Sequence, residues 1–186
     1  KNVAGKGKDI AVSAMTGEKG AYTLELSDAL SLTALYQYKI RFGGHDYNIK
    51  TTTVYASKKF NAEFTYDGDD LGAVWSKKAT AFKVWAPTAE AVSIALYRSG
   101  TAGTDDRTDT VSMTREDHGV WSAKIKGDLN GVYYTYLVNV NGNEVEAVDP
   151  YARTTGVNGL RGMVIDLSST DPKGWKKDSN PNKLVS

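Results

Sequence analysis

The stretch Phe82-Lys83-Val84-Trp85-Ala86-Pro87-Thr88-Ala89, continuing into Val92-Ser93-Ile94-Ala95-Leu96-Tyr97, decides the fold class. Its first part reads as a strand that stops at Pro87, because proline has no N–H to give to a ladder. Beyond the turn, Val92, Ile94 and Leu96 alternate with other residues, the period of a strand with one face buried. The pattern extends both ways. Upstream, Tyr22, Leu24 and Leu26 share a face of 21–26, and Tyr36, Tyr38, Ile40 and Phe42 share a face of 36–42. Gly43-Gly44-His45-Asp46 turns the second of these into Tyr47–Lys50, a hairpin signature, and a further strand is expected over 51–55. Downstream, strands are expected near 81–86, 109–113, 120–125, 133–140 and 162–167. Asn141-Gly142 suits a type I′ turn, since both residues tolerate positive φ. Only Asp28–Leu35 offers as much as a turn of helix. Short strands about a dozen residues apart predict an all-β chain of two tandem Ig-like β-sandwich domains.

Composition narrows the function. A chain of 186 residues has room for two small domains, each with its own core. Hydrophobic content of 40% and charged content of 24% are those of a soluble globular protein. With 23 basic against 22 acidic residues, no field of one sign exists to attract nucleic acid or an anionic membrane. Neutral polysaccharide suits that balance. Cysteine is absent, which excludes disulfides and thiolate metal sites. The apolar runs fall far short of the ~18 residues needed to span a bilayer. Residue 1 is Lys and no signal segment follows it, so the chain is expected to be a processed or excised piece of something longer. Eleven Tyr and four Trp suit strand pairing and core packing, and also stacking on sugar rings.

Nothing reads as a catalytic constellation. A cooperating pair of catalytic carboxyls, one nucleophile and one acid, sits about 5 Å apart. Asp69-Asp70 and Asp105-Asp106 read instead as solvated turn residues, and His45 and His118 fall in turns of different units. No Gly-rich phosphate loop leads from a strand into a helix. No metal site and no cofactor are expected.

Residues 1–8 are Lys/Gly-rich and linker-like, and Asp67-Gly68-Asp69-Asp70 is a polar cluster between apolar segments. The expected organisation is an N-terminal Ig-like sandwich over 1–66, a second sandwich over 67–170 and an extended linker over 171–186.

Four segments carry a resemblance. Phe82–Ala89 resembles the opening of the carbohydrate-binding module family 48 sandwich that precedes the catalytic barrel of starch-debranching enzymes. With Tyr66-Asp67-Gly68-Asp69-Asp70-Leu71-Gly72, Gly131-Val132-Tyr133-Tyr134-Thr135-Tyr136, and Ala147–Ala152 running into Gly156–Gly162, the chain resembles the N-terminal, non-catalytic portion of type I pullulanases, in glycoside hydrolase family 13. Asp166–Trp175 resembles that family's exit toward the barrel. The resemblance implies a parent that hydrolyses α-1,6 linkages in pullulan and amylopectin with an Asp nucleophile and a Glu acid/base. The barrel's motifs are absent from these residues, so this chain is expected to be no enzyme by itself.

What it implies about partners is α-glucan (starch, glycogen or pullulan), bound weakly, and the parent's catalytic barrel. Glycogen-binding relatives clamp glucan with two tryptophans and a lysine. The matching positions here are Tyr97-Arg98-Ser99, Asn143-Glu144 and Thr135. Tyr97, Asn158, Arg161 and Trp75 are the carbohydrate-binding candidates that remain. Trp75 reads otherwise as a staple between units, Trp121 as core and Trp85 as the core's edge. Trp85, Pro87, Asp149, Tyr151, Asn158 and Arg161 mix apolar anchors with polar groups, and are expected to gather in one patch that docks the barrel. A bacterial extracellular or cell-surface location is expected, with the cytoplasm as the other option. The rival readings are an autonomous starch- or glycogen-binding protein and a structural Ig-like adhesin module.

Overall fold

The computed structural model describes residues 9–50, 52–103 and 105–177, apart from the side chain of Tyr36. The chain divides into two compact units, Lys1–Val54 and Tyr55–Ser186.

In the first unit, β1 (Val12–Glu18) pairs with β2 (Ala21–Leu26), and β3 (Lys39–Phe42) pairs with β4 (His45–Asn48). Gly43 and Gly44 make the second turn with φ of 57° and 81°, values that glycine adopts without strain. Where a sandwich is expected over 1–66, the described residues form two separate hairpins. The alternation suffices to pair strands locally. It does not bury the faces it marks, for Phe42 is 75% exposed and Tyr22 58%. Leu35–Gln37 is a 3-10 turn rather than the start of a strand, and so is Val54–Ala56. Thr51 lies outside the described residues.

The unit boundary falls before Tyr55 rather than after residue 66, because of a helix that carries no sequence signal. In α1 (Lys58–Phe64), two turns leave Phe60 and Phe64 as the only apolar repeat. The Ser57 hydroxyl caps it, accepting from the Phe60 N–H at 3.1 Å. Both phenylalanines are buried, with ring centroids 4.8 Å apart. The Phe64 carbonyl accepts from the Trp85 indole at 2.8 Å. The helix therefore belongs to the second unit.

There the strands are β5 (Gly72–Ser76), β6 (Ala79–Trp85), β7 (Ala91–Tyr97), β8 (Arg107–Ser112), β9 (Thr114–Arg115), β10 (Val120–Lys126), β11 (Tyr133–Val140), β12 (Asn143–Ala147) and β13 (Gly162–Met163). One sheet runs β5-β6-β10-β9, and the other β12-β11-β7-β8, with β13 also pairing β11. Every pair is antiparallel. Asn141 and Gly142 join β11 to β12 with φ of 60° and 70°, as a type I′ turn requires.

The two inner faces make one core. Phe82, Val84 and Trp121 come from the first sheet, and Val92, Ile94, Leu96, Tyr134 and Tyr136 from the second. Phe82 meets Tyr134 edge-on at 5.0 Å, and each such fully buried side chain stabilises the fold by roughly 1.5–3 kcal/mol. Trp121 is core, its indole donating to the Ala86 carbonyl at 3.1 Å. All-β is thus the class of the chain, and a sandwich the architecture of this unit. Alternation leaves Ala95, Tyr97, Tyr133, Thr135 and Leu137 on the outer face of the second sheet.

Candidate functional site

That outer face holds a pocket of about 590 Å³. Tyr97 leaves β7 and its hydroxyl donates to Glu146 on β12 at 2.6 Å. The Thr135 hydroxyl, on the strand between, donates to the same carboxylate oxygen at 2.8 Å. The tyrosine ring therefore lies across the sheet. Its other face meets Arg161, whose Cζ is 3.6 Å from the ring centroid, within cation–π distance. Arg161 Nη1 donates to Asp106 Oδ1 at 2.8 Å and to the Ser99 carbonyl at 2.9 Å. The second oxygen of Asp106 accepts the Ser99 N–H and hydroxyl, each at 2.8 Å. Arg107 approaches Glu146 at 3.9 Å from the open side, and Leu160, 55% exposed, forms part of the rim.

Electrostatics follow from this packing. Burial pushes the Glu146 carboxyl up, but donation from Tyr97 and Thr135, with Arg107 and Arg161 nearby, holds it below the usual glutamate range. The pocket thus offers a charged carboxylate and a guanidinium beside a covered aromatic ring.

A second cavity, of about 570 Å³, opens where α1 meets the end of β6. Six aromatic rings line it: Tyr55, Phe60, Phe64, Tyr66, Trp85 and Tyr151. Trp85 is 40% exposed and Tyr151 48%, so the groove offers apolar surface to solvent. The Trp85 indole N–H is shared between the carbonyls of Phe64 and His118, at 2.8 and 3.1 Å. Pro87 is buried beneath, tight against Gly119, where a Cβ would lie 2.5 Å from the Pro87 Cα.

The structure divides the six residues expected to share one docking patch. Trp85, Pro87 and Tyr151 line the groove together. Arg161 belongs to the outer-face pocket, while Asn158 is exposed on the turn Val157–Gly159 and lines neither cavity. Asp149 is buried in the core, accepting from the hydroxyls of Tyr134 and Tyr136 and from the Tyr151 N–H. The reason is the chain's path: residues 149–161 run from the groove to the opposite sheet face, so nearness in sequence is not nearness in space. Trp75 sits half-buried on β5 against the core, and its indole donates to Asp128 at 2.9 Å.

Of the carboxylates expected in solvated turns, Asp106 is a part-buried anchor instead, while Asp70 stays exposed but takes partners. Asp70 is paired with Lys83 and accepts from the Tyr66 hydroxyl, and donation from Lys83 and then Tyr66 holds its carboxyl low. Asp106 holds Arg161. Sequence reasoning also missed Glu146, Arg107, Phe60 and Phe64 as parts of the two surfaces. Glu146 had a signal, standing two strands from Tyr97 once Asn141-Gly142 fixes the hairpin. No cluster of three or more metal-ligating side chains exists among the described residues. No described helix is long and apolar enough to cross a membrane.

Comparison with known proteins fits this geometry. Residues 70–152 match the family model described as carbohydrate-binding module 48 (isoamylase N-terminal domain). A pullulanase of Bacillus subtilis (strain 168) is 33% identical over 159 residues, covering 77% of this chain and 21% of the relative. Among solved structures, pullulanase from Bacillus acidopullulyticus superposes with a TM-score of 0.71 at 38% identity, over 89% of this chain and 20% of that one. Pullulanase from Paenibacillus barengoltzii, in complex with maltohexaose and alpha-cyclodextrin, gives 0.64 at 38% identity over 73% of this chain and 21% of that one. The chain therefore spans about a fifth of the length of these relatives.

Proposed function

With residues 70–152 a member of the carbohydrate-binding module 48 family, we propose that this chain is the non-catalytic accessory region of a pullulanase-like debranching protein. Its main task is to seat the catalytic domain of the longer polypeptide. The observation that carries this reading is the groove of six aromatic rings, open at Trp85 and Tyr151. Interfaces are anchored by such aromatics, and a groove of this kind left in water is a liability without a partner. The occupant is the catalytic domain, because four-fifths of the relatives' length lies outside the matched part. Mixing the chain with a separately produced pullulanase catalytic domain tests it. A stable complex on size-exclusion chromatography is expected, and two species that never co-elute would overturn the docking role.

The second task is weak engagement of α-glucan at the outer-face pocket. Support comes from the family whose model the module matches, from the nearly balanced overall charge of +1, and from Glu146 and Arg107, which present hydrogen-bonding groups beside an aromatic ring. The parent's substrate on this reading is an α-1,6-branched glucan.

A further inference from the structure

We propose that Arg161 sets the sugar affinity of the outer-face pocket by occupying the face of Tyr97 on which a glucose ring would stack. The inference rests on the glucan reading of that pocket. Tyr97 packs against Ala95 and Leu137 on the sheet, and its hydroxyl reaches β12 beyond Thr135. One ring face is therefore turned to the sheet, and the other is the face that Arg161 covers at 3.6 Å. The cover is closed: each of the two residues is only 3% exposed, although both line the pocket. An aromatic face attracts a guanidinium through its π-electrons, and it attracts the C–H face of a pyranose by apolar contact. The same face cannot hold both.

The clamp makes the cover persistent. Asp106 and the Ser99 carbonyl hold Nη1, and Ser99 in turn fixes the other oxygen of Asp106. An ion pair this buried is lost only when both charges find water again. The closed arrangement carries a cost, since Arg161 Nε is buried with no hydrogen-bond partner among the described residues. Release to solvent would satisfy that donor. A malto-oligosaccharide thus competes with an internal guanidinium for the ring, while Glu146 remains near the tyrosine hydroxyl for the sugar's hydroxyls and Arg107 stands farther off over the ring, its Cζ 5.7 Å from the centroid. Arg161 is by this account an affinity-setting residue, not a sugar ligand.

Isothermal titration of maltoheptaose into the whole chain separates the possibilities, comparing wild type, Arg161→Ala and the double variant Arg161→Ala/Tyr97→Leu. Arg161→Ala is expected to bind about tenfold tighter, with the gain lost in the double variant. If wild type binds and Arg161→Ala binds equally or more weakly, the cover is wrong and the glucan reading stands. If none of the three binds, both fall. Should Arg161→Ala fail to fold, Asp106→Asn keeps the guanidinium but weakens its anchor, and tighter binding is again expected. Unchanged affinity in that variant overturns the proposal equally.

Discussion

The hydroxyl of Tyr134 lies 2.7 Å from the Asp149 carboxylate and donates to it from inside the sandwich core. Tyr136 donates to the same oxygen at 3.4 Å, and the Tyr151 N–H to the other at 2.8 Å. One buried carboxylate thus satisfies two core tyrosines and starts the turn that presents Tyr151 at the groove. Asp149→Ala leaves those hydroxyls unpaired and is expected to lower stability by about 2–3 kcal/mol, read from urea denaturation.

The same carboxylate gives a pH dependence whose sign is set by burial. Desolvation raises the Asp149 carboxyl above its usual range, and the hydrogen bonds from Tyr134, Tyr151 and Tyr136 only partly oppose it. A folded value above the unfolded one means that folding favours the protonated form. That contribution is whole below the unfolded value and is lost as pH rises through the folded one. Asparagine imitates the protonated acid. Asp149→Asn should therefore improve relative to wild type as pH rises above the ordinary aspartate value of about 4. Drift in the other direction would show that the hydrogen bonds outweigh burial.

Tyr151→Ala tests the groove without the core. The ring is 48% exposed, so melting temperature should change little, while affinity for a separate pullulanase catalytic domain should fall by roughly 1–2 kcal/mol. Asn158→Ala, outside the groove, is the control and should leave that affinity unchanged. Equal losses in both variants, measured by biolayer interferometry, would remove the groove from the interface.

The sandwich was legible because Val92–Leu96, Val120–Ile125 and Tyr133–Val140 alternate along strands that are buried on one side. β5 and β12 escaped because Gly72–Ser76 and Asn143–Ala147 are short edge strands with mixed faces, and Val145 is 59% exposed. The helix at Lys58–Phe64 escaped because two turns are too short for a period to register. Family resemblance pointed to Trp85, Pro87 and Tyr151, and these three meet. It also pointed to Asp149 and Arg161, but whether a polar residue faces a partner or the core depends on cross-sheet neighbours. Tyr134 and Tyr97, the residues that decide those two cases, come from other strands.

Hydrolysis is not expected from this chain, and the three carboxylates prominent at its surfaces serve another purpose. Asp70 is tied to Lys83, Asp106 to Arg161 and Glu146 to Tyr97, which leaves each as a structural acceptor rather than a nucleophile or proton donor. Incubation with pullulan should release no reducing sugar. Turnover that survives repurification would refute this. Malto-oligosaccharide affinity of the wild type is expected to be around millimolar, about −4 kcal/mol. A low-micromolar dissociation constant would mean that Tyr97 is not the relevant platform, and Trp75 would be the next residue to test.

Gly156 offers a test of the two loops that hold Arg161. Its backbone touches that of Gly100, and a Cβ added at Gly156 would lie 2.5 Å from the Gly100 Cα. A Cβ on Gly100 would likewise meet Gly156 at 2.7 Å, so neither side has room to give. Across this contact the Val157 N–H donates to the Gly100 carbonyl at 2.9 Å, and the Gly156 N–H to the Arg161 carbonyl at 2.8 Å. Gly156→Ala must push the turn at Val157–Gly159 away from the loop after Ser99. The expected loss is about 1–3 kcal/mol of stability, the range for overpacking a tight contact. The same displacement draws Arg161 from Asp106, so maltoheptaose should bind this variant more tightly than wild type despite the lower stability. Thermal melts and titration of the same preparation check both effects. A variant that melts lower and binds no better would mean that the Asp106 clamp does not depend on the close approach of the two glycines.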